Sequence, residues 1–180
     1  MKKLTISGSL LCVLLLSLAA AAAEPGQWKG LKLDVSTQAE TVAILREPAE
    51  RQENQKLRTP IDLFLAKDLR LQKLTFKGGE GFNRAELYFR DGRLRVIRVD
   101  LSAPVKASSF PTAYKLEFLP KPSGVMYALI GEAEASWVVA SVSPTLGSLQ
   151  DDAVAYPGEV RTLWLVSKSL RDTAGMDGLK

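Results

Sequence analysis

The sequence predicts an α+β fold, a short N-terminal helix packed on a mainly antiparallel β-sheet, with a β-rich second half. Three observations predict it. STQAETVAILREP, residues 36–48, carries a cap, a helical apolar spacing and a proline stop. NRAELYFRDGRLRVIRVDL, residues 83–101, alternates polar and apolar residues on both sides of Asp91-Gly92. Beyond Ser102, short runs rich in valine, leucine and aromatics are divided by prolines.

The chain opens MKKLTISGSLLCVLLLSLAAAAAEP, the charged, apolar and small-residue order of a secretory signal peptide over residues 1–23, with cleavage expected near Ala23. The apolar run Leu10–Leu18 is shorter than the roughly 20 residues a spanning helix needs, and no later run approaches that length. Cys12 follows Leu11 rather than a small residue, which disfavours lipidation. The expectation is an exported protein, periplasmic or secreted, without a transmembrane segment in its mature part. Residues 24–170 are expected to form a single α+β domain, with a two-lobed split near 102–123 as the alternative, and residues 171–180 a flexible tail.

Loss of the leader would remove the one cysteine, and the chain has no histidine. Disulfides, Ser-His-Asp and Cys-His catalysis and the usual zinc sets are thereby excluded from the mature part. The leader also takes Lys2 and Lys3, so the formal charge of +4 falls towards neutrality. So small an excess, on an exported chain, argues against nucleic acid as a partner.

Residues 24–32 are polar around Trp28 and read as an extended entry strand or a partly ordered arm. Ser36 or Thr37 caps the helix, Glu40 completes a capping box with Thr37, and Ala39, Val42, Ala43 and Leu45 form the apolar stripe until Pro48 stops it. AERQENQKLR reads as a loop, while IDLFLAKDLRLQ leans to a strand, with a short helix also open. LQKLTFKG is a strand and GGEGF a turn. Asp91-Gly92 places Arg90 opposite Arg93, with Ala85, Leu87, Phe89, Leu94 and Val96 on the core face. The apolar phase then changes at Ile97, Val99 and Leu101, which calls for a bulge near Val96 and Ile97 or a strand end covered on both faces. YKLEFL, VMYALIGEAEASWVVASVS with a turn near 131–135, and EVRTLWLVSK complete the strands.

STQAETVAILREP followed by the hairpin ELYFRDGRLRVIRV resembles the SmpA/BamE-type and β-lactamase-inhibitor-protein-like modules of exported bacterial proteins, over residues 34–101. Ser36, Val42, Leu45 and Pro48 fit that helix pattern, and Arg46 stands where the pattern most often has glycine. The resemblance implies a fold used for protein contacts in the envelope. The lipobox cysteine of the assembly lipoprotein is missing, so that role does not carry over.

Among candidate sites, Glu132 and Glu134 would share a strand face and Asp151-Asp152 precede a turn, which leaves a carboxylate-dependent hydrolase as one alternative. A carrier of an apolar ligand is another. KGGEGF lacks the Lys-Ser/Thr ending of a phosphate loop, and no cofactor or metal motif appears. Trp137 and Trp164 read as core, while Trp28 either pins the arm or offers an aromatic contact. The favoured binding residues are Arg84, Tyr88, Arg90, Arg93 and Arg95, a cationic and aromatic patch away from the core with Tyr88 opposite Arg95. The expected function is a non-enzymatic interaction or scaffold module, whose partner is an envelope protein or an anionic surface.

Overall fold

A computed structural model describes residues 25–59, 65–66, 69–106, 115–119, 127–143 and 159–171. The leader, Asp151-Asp152 and all of the tail except Arg171 lie outside the described residues.

The arm is a miniature hairpin of β1 (Gln27–Trp28) and β2 (Leu31–Lys32), turned by Lys29 and Gly30 at φ 49° and 79°. Helix α1 (Gln38–Leu45) begins at Thr37 with the capping box in place. The Thr37 hydroxyl accepts from the Glu40 amide at 3.3 Å, and the Glu40 carboxylate accepts from the Thr37 amide at 2.7 Å. Its inward side is Thr41, Val42 and Leu45, while Ala39 and Ala43 are exposed.

The helix ends at Arg46 with φ 71° and ψ −162°, a region that is nearly glycine-only. The arginine holds that conformation at a cost of about 1–3 kcal/mol, against about 1 kcal/mol of extra unfolded-chain freedom for glycine. Arg46→Gly is therefore expected to stabilise the protein by about 1 kcal/mol, read as a higher urea midpoint at unchanged slope. A lower midpoint would show that the arginine is not strained.

Eight further strands follow: β3 (Glu50–Lys56), β4 (Arg70–Gly79), β5 (Phe82–Arg90), β6 (Arg93–Lys106), β7 (Lys115–Leu119), β8 (Tyr127–Glu132), β9 (Ser136–Ser143) and β10 (Glu159–Ser167), the last leading into a 3-10 turn, Lys168–Leu170. They form one antiparallel sheet in the order β3-β4-β5-β6-β10-β9-β8-β7. Strands from both sides of segment 102–123 thus share a sheet.

The expected α+β class is overturned. The protein is mainly β, and α1, its one helix of seven or more residues among those described, is a single short piece laid on a large sheet. The capped segment was legible as a helix, but a helix of eight residues does not make a layer. AERQENQKLR, expected as a loop, supplies β3. An edge strand needs pairing on one side only, so it can be polar throughout. Its register breaks between Gln52 and Gln55 around Asn54 at φ 54°, a bulge that blunts the free edge. Of IDLFLAKDLRLQ, the described part outside β4 makes only an isolated bridge, Leu65 to Arg171.

Strands β4, β5, β6, β10 and β9 carry buried apolar side chains on both faces of the sheet. On the first, Leu74, Leu87, Ile97, Leu165 and Val138 form one row and Phe76, Ala85, Val99, Leu163 and Ala140 the next. Trp28, Leu31 and Leu33 of the arm, with Val42 and Leu45 of α1, cover these rows. Trp28 meets Phe82 edge-on, 5.3 Å between centroids, so it pins the arm. On the second face, Tyr88, Val96, Val166 and Trp137 lie beneath Leu57, Leu65, Leu69 and Leu170, with Trp164 packed alongside.

The β5–β6 turn has Asp91 and Gly92 at φ 53° and 73°, and Arg90 faces Arg93 as expected. Past that point the register differs. Tyr88 pairs with Val96 and Phe89 with Leu94, so Arg95 is an extra residue on β6. The bulge moves Val96 from the predicted core face to the second face and puts Ile97 and Val99 on the first. Both of the expected explanations for the phase change hold at once, since Val96 and Ile97 are each fully buried.

Candidate functional site

The second face carries the chemistry. Thr75, Glu86, Arg98, Trp164 and Val139 form a row across β4, β5, β6, β10 and β9, and Lys77, Arg84, Asp100, Thr162 and Ser141 form the next. Glu86 is at the centre and only 4% exposed. Its carboxylate faces Arg84 Nη2 at 2.7 Å, Arg98 Nη1 at 3.0 Å and Lys73 Nζ at 3.7 Å, and accepts the Tyr88 hydroxyl at 3.0 Å. Arg98 reaches on to Asp100 at 3.2 Å, which also accepts from Thr162 at 2.9 Å, and its guanidinium stands 5.7 Å from the Trp164 ring centre.

Burial by itself would push the Glu86 pKa up. Arg98, the Tyr88 hydrogen bond, Lys73 and Arg84 together outweigh it, and the net shift is downward. Tyr88 moves the other way, its pKa raised by burial first and then by the charge and hydrogen bond of Glu86. At neutral pH the carboxylate has no proton to give and the phenol keeps its own. The arrangement suits charge display rather than proton transfer.

A second cluster ties the arm to the sheet. Asp34, at φ 65°, donates its amide to the Leu94 carbonyl at 2.7 Å. Its carboxylate pairs with Arg95 and accepts from Ser167 Oγ at 2.6 and 2.7 Å and from Ser169 Oγ at 2.9 Å. Arg93 Nη1 donates to the Val35 carbonyl at 2.6 Å.

These contacts divide the five predicted binding residues. Arg84 and Tyr88 belong to the Glu86 network, and Tyr88, 8% exposed, opposes Val96 rather than Arg95. Arg93 and Arg95 hold the arm. Arg90 is half exposed, and its one ion-pair partner among the described residues is Asp91 at 3.7 Å. The single patch expected from strand parity does not form, because the Arg95 bulge shifts the register and the end of the second face that holds Tyr88 and Val96 is covered. Lys73, Lys77, Glu86, Arg98, Asp100 and Thr162 were missed. The available sign was that Glu86 shares the parity of Arg84 and Tyr88, but its burial depends on what lies above it.

The alternative acid pair also separates. Glu132 ends β8 beside Lys168, whose hydrogen bond lowers its pKa, while Glu134 lies exposed in the turn to β9. Trp137 is core, and Trp164 is partly buried beside Arg98. Among the described residues no group of three or more His, Cys, Asp or Glu gathers as metal ligands, and no helix is long and apolar enough to cross a membrane.

Fold and site together define a class: an eight-stranded antiparallel sheet whose central strands pack apolar side chains on both faces, with an ion cluster built into one of them. No protein-family model, no curated protein and no solved structure matches this chain. Its functional reading therefore rests on its own residues.

Proposed function

We propose that this is a non-enzymatic binding module of the cell envelope, exported through its leader-like N-terminus, whose second sheet face meets an acidic partner protein. One observation carries the reading. Glu86 is saturated by its neighbours and held ionised, so the cluster is not arranged for acid–base work, while the same face presents more cations than carboxylates. Lys73, Lys77, Arg84 and Arg98 stand against Glu86 and Asp100, with Glu50 at the edge opposite Thr75. Such a face steers an acidic partner and fixes its orientation. The likeness of residues 34–101 to envelope contact modules points the same way.

The test is affinity capture from crosslinked cells of the native host, with the whole chain as bait. The expected result is one envelope protein, released as the ionic strength approaches about 0.5 M because exposed charge contacts are screened. Recovery of no specific partner would overturn the reading. Arg93 and Arg95 are left intact in this test, because both hold the arm.

A further inference from the structure

Lys77 on β4 and Arg84 on β5 are directly opposed, side by side on the second face. Like charges at opposed positions repel, so this pair is held at a cost to stability. Glu86 relieves it on the Arg84 side alone, at 2.7 Å, and no acid among the described residues pairs with Lys77. Glu86 is occupied by Lys73, Arg84, Arg98 and Tyr88, and Asp100 by Arg98 and Thr162. Glu80, in the following turn, lies 3.9 Å from Lys29. Lys77 is exposed, and its side chain has no hydrogen bond or ion pair among the described residues. The Arg84 side chain is 42% exposed and spends one nitrogen, Nη2, on Glu86.

From this pair we infer a receptor for a carboxylate of an acidic protein segment, bound between the Lys77 ammonium and Nη1 of Arg84, since Nη2 is held by Glu86 and Nε is buried. The inference rests on the binding-module reading and names the contact. Opposed strand positions have Cβ atoms about 4.5–5.5 Å apart, so one oxyanion can reach both side chains. Charge selects the ligand. Among the described residues, Lys73, Lys77, Arg84 and Arg98 exceed Glu50, Glu86 and Asp100 by a single charge, which favours a singly charged carboxylate.

The test uses the whole 15N-labelled protein, titrated with a synthetic peptide of alternating glutamate and glycine, its glutamine counterpart, inorganic phosphate, and phosphatidylglycerol vesicles. Saturable shifts at the Lys77 and Arg84 amides and at Arg84 Nε are expected with the glutamate peptide alone. Lys77→Glu turns a repelling pair into an attracting one. It should weaken peptide binding about tenfold while raising the melting temperature by about 2 °C, a combination that a merely structural role for Lys77 does not produce. Arg84→Gln should also lose binding. Because it disturbs the Glu86 network, Lys77→Glu is the deciding variant.

Equal peptide affinity in Lys77→Glu, shifts centred elsewhere, or tighter binding of phosphate or vesicles would overturn the receptor. If the partner captured from the host binds Lys77→Glu as well as wild type, the receptor fails and the module reading stands. If wild type captures no partner yet binds the peptide at Lys77, the reverse holds.

Discussion

Glu86→Ala is expected to destabilise the protein by about 3–5 kcal/mol, the cost of removing one partner from a buried ion cluster. The loss comes less from the missing attraction than from what remains. Lys73, at 13% side-chain exposure, and Arg98, at 34%, would keep their charges with too few partners, and the Tyr88 hydroxyl would lose its acceptor. Glu86→Gln preserves shape but not charge and should lie between alanine and wild type. Urea unfolding of the three proteins at pH 7 is the measurement, and a loss below about 1 kcal/mol for alanine would show that the cluster is not a stabilising unit.

The same residues predict how stability depends on pH. The folded-state pKa of Glu86 is below its ordinary 4.5, so its contribution is fully present above pH 4.5 and is lost as pH falls through the lower, folded value. The Tyr88 pKa is raised above its ordinary 10.0, so its contribution is present below pH 10 and is lost as pH rises beyond that. A stability plateau between these limits is expected. Glu86→Gln should flatten the acid side of the profile and weaken the alkaline side, because the neighbouring negative charge is one cause of the tyrosine shift.

The second large effect is expected at Asp34. Asp34→Ala should cost about 2–4 kcal/mol, because it leaves the Arg95 charge unpaired and removes the acceptor of the Ser167 hydroxyl, a fully buried residue. Alanine is also less at ease than aspartate at φ 65°. Asp34→Asn keeps the backbone preference and should cost about half as much. The loss should be local first. Hydrogen exchange at the Leu33 and Asp34 amides, which bond to Gly26 and Leu94, should accelerate before that of the central strands. Exchange rates unchanged in Asp34→Ala would mean that the arm is held by Trp28 and Leu31 alone.

The pattern of what could be read follows the range of the forces involved. Thr37, Glu40 and Pro48 act within one turn of chain, and the helix formed where they indicated. Asp91-Gly92 acts within two residues, and Arg90 met Arg93. Arg46 was noticed only as a departure from a glycine pattern, and its positive φ supplies the physical reason that glycine suits the position. The binding patch, by contrast, was projected by parity across several residues. One extra residue at Arg95 was enough to send Tyr88, Val96 and the arginines to different neighbours.

The sequence by itself determined the local punctuation, the strands of the central hairpin and the absence of histidine and cysteine chemistry from residues 24–180. Only the tertiary structure decided that the fold is mainly β around one eight-stranded sheet, that its central strands are packed on both faces, and that Glu86 lies inside an ion cluster while Lys77 is left facing Arg84. The reason is that turns and caps are settled by neighbours along the chain. Burial is settled by segments far away in sequence: Leu57 and Leu170 over the second face, and the arm that Asp34 fastens to Ser167 across 133 residues.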